Sequence, residues 1–165
     1  MSTSQTLRQL QAEWITPENF QRYGQVIFAS QDGKAFDVED AQLNLQNGTP
    51  RFYIMQLHKR GLKFHKITRH VQCTQCLGSL AGKDWLIAVC PPYNDANQPV
   101  LAEIAAFRIP GNCFIKLNEG TWHAGPYFEH DVVDFYNLEL ADTNVGDHFT
   151  HDLIHSHQLE FEMVL

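Results

Sequence analysis

Two histidine-bearing segments carry the residue types in this chain that are best suited to chemistry. His123 lies in residues 120–126, at a predicted turn after an apolar strand, and the neighbouring Trp122 offers its ring an apolar wall. The upstream segment contributes His65, Arg69 and His70. Imidazole transfers protons near neutral pH, and the planar guanidinium of arginine binds a carboxylate through two hydrogen bonds. Together these side chains predict a pocket for a small polar acid.

Two further polar residues join this predicted pocket. Gln75 follows on the next predicted strand and offers both a donor and an acceptor to hydroxyl or urea groups. Asp134 shares strand parity with apolar neighbours and points into the core if that face is the buried one. An inward carboxylate needs a partner such as Lys116, because an unpaired buried charge is costly. A shifted parity leaves Asp134 exposed, and the sequence leaves both alternatives open.

Cysteine usage points to structure rather than chemistry. Cys73 and Cys76 match C-x-x-C, but a redox motif of that kind opens a helix, and the residues after Cys76 show no helical period. A zinc site needs two more ligands, and His65 and His70 offer them as an alternative. The apolar, strand-like surroundings favour buried free thiols in a cytosolic protein.

The composition indicates one globular domain spanning residues 1–165. The chain is 44% apolar and contains no run long enough to cross a membrane. Its net charge is −7 and its basic residues form no stripe, so nucleic acid is not an expected partner. The N-terminus lacks a signal-peptide pattern, which predicts a cytoplasmic location. A modest basic patch at 59–60 and 63–66 fits either a small anion or a solvated loop.

Short strands separated by turn residues make up most of the predicted structure. After residue 50 they are predicted at 51–57, 62–65, 75–80, 85–89, 104–109, 113–117 and 132–140. This spacing, without a long amphipathic helix, is typical of a β-sandwich or small barrel. Thr16 as N-cap and Pro17 at the first helical position predict a short helix over 17–23, followed by a strand over 25–28.

Two segments are predicted to contain little regular structure. Residues 30–50 carry turn signals and little apolar periodicity, which indicates an extended loop with at most one short strand at 42–45. The tail after Asn144 is rich in histidine, with His148, His151, His155 and His157. We expect this tail to be solvated or to line an interface rather than to hold a metal.

Several motifs resemble those of one enzyme family. They are the opening Ile15-Thr-Pro-Glu-x-Phe-x-x-Tyr-Gly-x-Val-Ile27, the His65-x-x-x-Arg69-His70 segment followed by Thr74-Gln75, the Gly120-Thr-Trp-His123 turn, and Asp134-Phe135. In the order and spacing of these motifs over residues 15–137, the chain resembles the ureidoglycolate lyases, formerly called ureidoglycolate hydrolases.

The resemblance implies both a fold and a reaction. The fold is a mainly β, cupin-type barrel or jelly roll that assembles as a homodimer. The reaction releases urea and glyoxylate from the small carboxylate ureidoglycolate in purine (allantoin) breakdown. The residues that match the family's pocket are His65, Arg69, His70, Gln75 and His123, with Trp122 beside them.

The expected mechanism divides the reaction among these residues. Arg69 holds the substrate carboxylate, and His70 or His123 takes the hydroxyl proton as the C–N bond to urea breaks. Gln75 or Lys116 stabilises the emerging aldehyde. The substrate-binding set is completed by His65, Trp122 and Asp134. A divalent metal ion held by His70, Gln75 and His123 remains an open alternative to metal-free chemistry.

Departures from the family pattern bear on this expected activity. Thr68 stands where the family commonly has an acidic residue, and Ala124 stands where a second histidine commonly follows. The family also often has Pro and Gly where this chain has Val71 and Cys73. A lost carboxylate removes a candidate metal ligand or general base. A non-catalytic or redirected cupin that binds a small carboxylic acid or a sugar is therefore the alternative.

Overall fold

Two curled β-sheets pack face to face in the computed structural model, which describes residues 5–93 and 97–165. The strands are β1 Thr6–Trp14, β2 Gly24–Phe28, β3 Pro50–His58, β4 Lys63–Phe64, β5 Lys66–Arg69, β6 Gln75–Ser79, β7 Gly82–Cys90, β8 Ala105–Gly111, β9 Cys113–Leu117, β10 Trp122–Tyr127, β11 Val132–Leu140, β12 Phe149–Asp152 and β13 Leu159–Val164. The helices are α1 Pro17–Phe20, α2 Thr143–Gly146 and α3 Leu153–His157, with a 3-10 turn at Leu101–Glu103. Within the described residues, no helix is long and apolar enough to cross a membrane.

The two sheets differ in size and in how the chain builds them. The larger has the strand order β12-β5-β10-β7-β8-β1-β13-β4, and the smaller has the order β2-β9-β6-β11-β3. Neighbouring strands run antiparallel except for β1, which pairs in parallel with β13 and with β8. The first and last strands of the described chain are therefore neighbours inside the larger sheet.

The main hydrophobic core fills the space between the two sheets. The larger sheet contributes Trp85, Ile87 and Val89 from β7, and the smaller one contributes Val133 and Phe135 from β11. Successive side chains of a strand point to opposite faces, so only alternate residues of each strand enter this core. Burial of these apolar side chains holds the sheets together.

A second core covers the outer face of the larger sheet. Leu86 of β7 and Trp122 of β10 pack there against Leu153 of α3 and Phe161 of β13. The C-terminal segment therefore supplies much of the cover for this face. Because side chains alternate, Trp122 and its sequence neighbour His123 lie on opposite faces of the same sheet.

The prediction of a mainly β fold with a short N-terminal helix is confirmed. The strands predicted at 25–28, 51–57, 75–80, 85–89, 104–109, 113–117 and 132–140 all form, most with ends shifted by one to three residues. Thr16 caps α1 as predicted, since its Oγ1 accepts from the backbone N of Asn19 at 3.1 Å. The helix ends at Phe20 rather than at Tyr23, because residues 21–23 form a turn.

One local strand prediction was wrong. Residues 62–65 do not form one strand, because the strand is interrupted at His65, with β4 before it and β5 after it. No strand forms at 42–45, which agrees with the predicted extended loop with at most one short strand. There the backbone N of Gln42 donates to the side-chain Oε1 of Gln25 at 2.8 Å instead of pairing with a neighbouring strand.

The predicted turn at 120–126 and the predicted tail also need correction. The turn ends at Gly120, whose positive φ of 80° suits glycine, and Trp122 already begins β10. The segment after Asn144 forms β12, α3 and β13, while the side chains of His148, His155 and His157 stay exposed as expected. In β13 buried apolar residues alternate with Glu160 and Glu162, a strand pattern that the prediction overlooked. The N-terminal strand β1 was missed because none of its residues is buried, so no apolar face marks it.

Candidate functional site

A cavity of about 550 Å³ lies between the two sheets. Its walls come from β3, β6 and β11 of the smaller sheet and from β5 and β10 of the larger one. Its polar lining includes the imidazoles of His58, His65, His70, His123 and His148, the cations Arg60, Lys63 and Lys66, and the neutral or acidic groups of Tyr53, Gln75, Asn137 and Glu139. A cavity of this size is suited to a small molecule.

His70 and His123 form a buried histidine pair on the larger-sheet side of the cavity. His70 directly follows β5, and His123 lies in β10, where its partner across the strands is Thr68 of β5. The two ring centroids are 5.1 Å apart. The structure therefore brings together the two histidine segments on which the sequence argument rested.

Hydrogen bonds to backbone carbonyls fix the same tautomer in both rings. Nδ1 of His70 donates to the carbonyl oxygen of Asp147, and Nδ1 of His123 donates to that of Thr121 at 3.4 Å. A carbonyl oxygen only accepts, so each Nδ1 carries the proton. In the neutral ring, Nε2 is then the basic nitrogen of each histidine.

Burial keeps both imidazoles neutral. It lowers the pKa of His123 to about 3, with the neighbouring His70 ring as a further cause. Burial also lowers the pKa of His70, although the hydrogen bond to the Asp147 carbonyl opposes this shift. Removing a cationic ring from water is the dominant cost in both cases. The histidine pair therefore offers two unprotonated nitrogens at neutral pH.

Asp147 positions the His70 end of the pair. Its buried carboxylate accepts from the backbone N of Val71 and of Gln72, at 2.8 Å each. Its own carbonyl meanwhile holds the His70 ring. The segment after α2 is thus attached to the link between β5 and β6, and the ring of His148 lies 5.5 Å from that of His70.

The smaller sheet contributes an acceptor cluster made of Tyr53, Gln75, Asn137 and Glu139. Gln75 Nε2 donates to Glu139 Oε2 at 3.0 Å and to Asn137 Oδ1 at 3.2 Å. Tyr53 OH donates to Glu139 Oε1 at 3.3 Å and accepts from Asn137 Nδ2 at 3.1 Å. Glu139 is 1% exposed, and the residues that donate to its carboxylate, Tyr53, Gln75 and Asn144, are neutral.

A cationic rim, Arg60, Lys63 and Lys66, lines another part of the cavity. Arg60 is held there by β10, since its Nη2 donates to the Pro126 carbonyl at 3.3 Å and its guanidinium lies 4.3 Å from the Tyr127 ring centroid. His65, between β4 and β5, also lines the cavity and contacts the carboxylate of Asp152 at 3.3 Å. The basic patch seen in the sequence therefore borders the cavity.

Arg69 and Trp122 do not line the cavity. Trp122 is buried in the second core, and the Arg69 guanidinium lies 4.7 Å from its ring centroid. Arg69 directly precedes His70 but falls on the opposite face of β5, as strand alternation requires. The expectation that Arg69 holds the substrate carboxylate directly, with Trp122 as a pocket wall, is not met by this placement.

Lys116 and Asp134 also lie away from the cavity. Lys116 is buried on the other face of the smaller sheet, donates to Asn118 Oδ1 at 2.7 Å, and has its pKa lowered by burial. Asp134 is on the outward face of β11 and accepts from Gln56 Nε2 at 3.0 Å. Of the two parities left open by the sequence, the outward one is observed.

The part of the chain described by the structure contains no group of three His, Cys, Asp or Glu side chains placed to hold a metal ion. His70, Gln75 and His123, the three residues considered as ligands of a divalent ion, all line the cavity. All four cysteines are buried free thiols, as expected. Burial raises the pKa of Cys76 to about 12, which leaves it unreactive.

Sequence reasoning missed Glu139 and Asn137, the most buried polar groups of the acceptor cluster. A signal for them was present, because they share strand parity with Val133 and Phe135 in β11. The sequence analysis left the parity of this strand open at Asp134 and did not consider the residues of the other face. Asp147 and Tyr53 gave no comparable signal, since their roles depend on contacts between distant segments.

The sequence of the chain matches the family model described as ureidoglycolate lyase over residues 7–156. The chain belongs to the ureidoglycolate lyase family. The matched range includes every residue of the histidine pair, the acceptor cluster and the cationic rim. No curated protein gives a significant match.

Two solved structures give distant matches to this member of the ureidoglycolate lyase family. One is RmlC from Streptococcus suis in complex with dTDP-D-xylose, at 13% identity and a TM-score of 0.35, covering 55% of this chain and 43% of that one. The other is the dTDP-6-deoxy-D-glucose-3,5-epimerase RmlC from Legionella pneumophila Philadelphia 1, at 15% identity and a TM-score of 0.40, covering 85% and 69%. The chain thus spans less than half the length of the first of these proteins.

Proposed function

We propose that this chain cleaves ureidoglycolate into glyoxylate and urea inside the cavity. The observation that carries the proposal is the histidine pair, two buried and neutral imidazoles that line a cavity of small-molecule size. Family membership supplies the reaction class. The cationic rim supports an anionic substrate, because it concentrates positive charge at one cavity in a chain with a net charge of −7.

The reaction needs one proton to move from oxygen to nitrogen. His70 Nε2 accepts the proton of the substrate hydroxyl, and the O–H electron pair becomes the second bond of the aldehyde C=O. The C–N bond breaks, and the leaving nitrogen takes the proton back from His70, which releases urea. His70 suits this role because the Asp147 carbonyl supports its protonated form. His123 Nε2 is a second acceptor that orients the hydroxyl.

The cationic rim takes the part first expected of Arg69. Lys66 lies on the same face of β5 as Thr68, and His70 continues that face just after the strand. Lys66 is therefore the rim cation that shares a cavity wall with the histidine pair. Arg60 and Lys63 add positive charge around it. In this proposal Arg69 and Trp122 are positioning residues that fix β5 against β10 from the outer face.

Replacement of the histidines tests the proposal. His70→Ala should lower the release of both urea and glyoxylate from ureidoglycolate by about 100- to 10,000-fold, the usual contribution of a general base. His155→Ala is the matched control, because His155 is exposed on α3 and outside the cavity lining. Unchanged turnover in His70→Ala would overturn the assignment of the base.

The metal alternative concerns the same residues. Two neutral imidazoles and the Gln75 amide would hold a divalent ion less strongly than a set with a carboxylate, and Thr68 contributes none. Turnover measured before and after dialysis against a chelator, with metal analysis of the same samples, distinguishes the alternatives. Loss of activity that returns with one added ion would assign His70, Gln75 and His123 as ligands.

A non-catalytic cupin that binds a small acid is the second candidate, and Thr68 is the observation that favours it. Thr68 lines the cavity where the family commonly has an acid, and its hydroxyl bonds that of Thr150 at 2.9 Å. Thermal stabilisation by glyoxylate without any release of urea from ureidoglycolate would support this candidate over the lyase.

We further propose that the chain is one domain that forms a homodimer in the cytoplasm. The outward face of β3 leaves Phe52 70% and Ile54 64% exposed, which suits contact with a second copy. Light scattering of the wild type and of Phe52→Glu with Ile54→Lys tests this. A monomeric wild type would remove the dimer from the proposal, and cell fractionation tests the location.

A further inference from the structure

The acceptor cluster has more hydrogen-bond acceptors than donors. Both amide hydrogens of Gln75 are used, one on Asn137 and one on Glu139. Its Oε1 is buried and has no hydrogen-bond partner, although the Gln75 side chain is only 7% exposed. The hydroxyl hydrogen of Tyr53 is also used, on Glu139. The acceptor cluster therefore has acceptor oxygens left over, to which a ligand can donate hydrogen bonds.

Glu139 adds a carboxylate, and the neighbouring cation Arg51, its partner across the strands, stacks on the Tyr53 ring at 3.6 Å and does not line the cavity. Gln75, Tyr53 and Asn144 donate to its carboxylate, and all three are neutral. A carboxylate has room for about four hydrogen bonds, so the protein leaves part of this capacity open. An unfilled acceptor at a buried charge is costly, which favours a ligand that brings N–H groups.

The histidine pair adds two further acceptor atoms to the cavity. Each Nδ1 is bonded to a backbone carbonyl, which leaves each Nε2 as an acceptor. The walls around the His70 end of the cavity thus offer acceptors from both sheets. Arg60 and Lys63 of the cationic rim follow the far end of β3, since Tyr53 and His58 are separated along that strand by about 17 Å.

We propose that the acceptor cluster is the binding subsite for the ureido end of the substrate. A ureido group is neutral and presents N–H hydrogens on both nitrogens, and its carbonyl can accept the second amide hydrogen of Asn137. The cationic rim would hold the carboxylate end. This inference rests on the proposed function and fixes the direction in which ureidoglycolate lies in the cavity.

The test measures the two products separately, without turnover. Urea and glyoxylate are titrated into the ¹⁵N-labelled chain, and binding is followed by chemical shifts. Glu139→Gln should weaken urea binding about 10- to 100-fold, the cost of losing a hydrogen bond to a charged group, and change glyoxylate binding less than twofold. Lys66→Met should do the reverse. Glu18→Gln, the same change at an exposed position on α1, is the control.

Wild-type spectra keep the test informative if Glu139→Gln does not fold. Urea should shift the side-chain amide signals of Gln75 and Asn137, and glyoxylate should not. Urea shifts that spare both amides would overturn the inference. So would tighter binding of millimolar guanidinium than of urea, because the carboxylate would then select a cation. A chain that binds urea through Glu139 but never releases it from ureidoglycolate would refute the lyase and leave this subsite standing.

Discussion

The two faces of the larger sheet differ although adjacent residues build them. On the inner face of β10, His123 lines the cavity with a neutral ring. On the outer face, Trp122 is 2% exposed in an apolar core and supports the Arg69 guanidinium. One face is suited to proton transfer and the other to stability. Adjacent residues of one motif can therefore have separate roles, one in the cavity and one in the core on the other side of the strand.

Among the changes that compare the two faces, replacement of His123 should lower kcat most. His123→Ala removes an acceptor at the reacting hydroxyl and should lower kcat by about 100-fold or more, with stability within about 1 kcal/mol of wild type. Steady-state kinetics and thermal denaturation of the same sample measure both. A variant that loses stability but keeps kcat would reverse the roles of the two faces.

Replacement of Trp122 should show the opposite pattern. Trp122→Ala leaves a large void in the second core and should lower the free energy of unfolding by about 3–5 kcal/mol. Trp14→Ala is the matched control, because Trp14 is 54% exposed. Denaturation curves for the two variants make the comparison. Equal losses would show that the outer core does not depend on Trp122.

The stability of the fold should depend on pH through His123 on the inner face and not through Trp122 on the outer face. The pKa of His123 is about 3 in the folded chain and near 6.5 when unfolded, so the unfolded state binds more protons between these values. Stability should therefore fall as pH drops below about 6.5, by up to about 1.4 kcal/mol per pH unit from this group. Denaturation midpoints at pH 7 and pH 5 test this. His123→Ala should flatten the slope, whereas Trp122→Phe should keep it.

The smallest effect is expected at Arg69. Arg69→Met removes the cation from the Trp122 ring and should cost about 1 kcal/mol, while raising KM less than Lys66→Met does. Parallel kinetics of the two variants decide between the outer and the rim cation. A larger rise in KM for Arg69→Met would restore Arg69 as the carboxylate-binding residue.

Strands between clear turn residues were predictable from the sequence, and the two strands near the ends of the described chain were not. β7 carries an apolar run and β11 alternates apolar and polar residues between turn residues, so both were recognised. β1 has no buried residue and pairs with β13, whose short alternating pattern was overlooked in the histidine-rich segment. Their formation depends on pairing between the two ends of the described chain.

The candidate site was predictable in its histidines and in its basic patch, but not in the face of Arg69 or in its buried acids. His70 and His123 stood out by type and by neighbouring motifs, and strand pairing brings them together. Arg69 stood out equally, but one residue of register decides which face it occupies. The role of Asp147 depends on contacts between segments far apart in sequence, for which a sequence pattern carries no signal.

Asp147 binds the protein at two places, since its carboxylate accepts from the backbone between β5 and β6 and its carbonyl accepts from His70. The tautomer of His70 therefore reports whether this segment is in place. While the Asp147 carbonyl is in place, the proton stays on Nδ1. If the segment after α2 detaches, that restraint is lost and the proton redistributes between the two ring nitrogens. The ¹⁵N shifts of a single imidazole therefore record whether the segment after α2 is docked, and they do so without substrate or turnover.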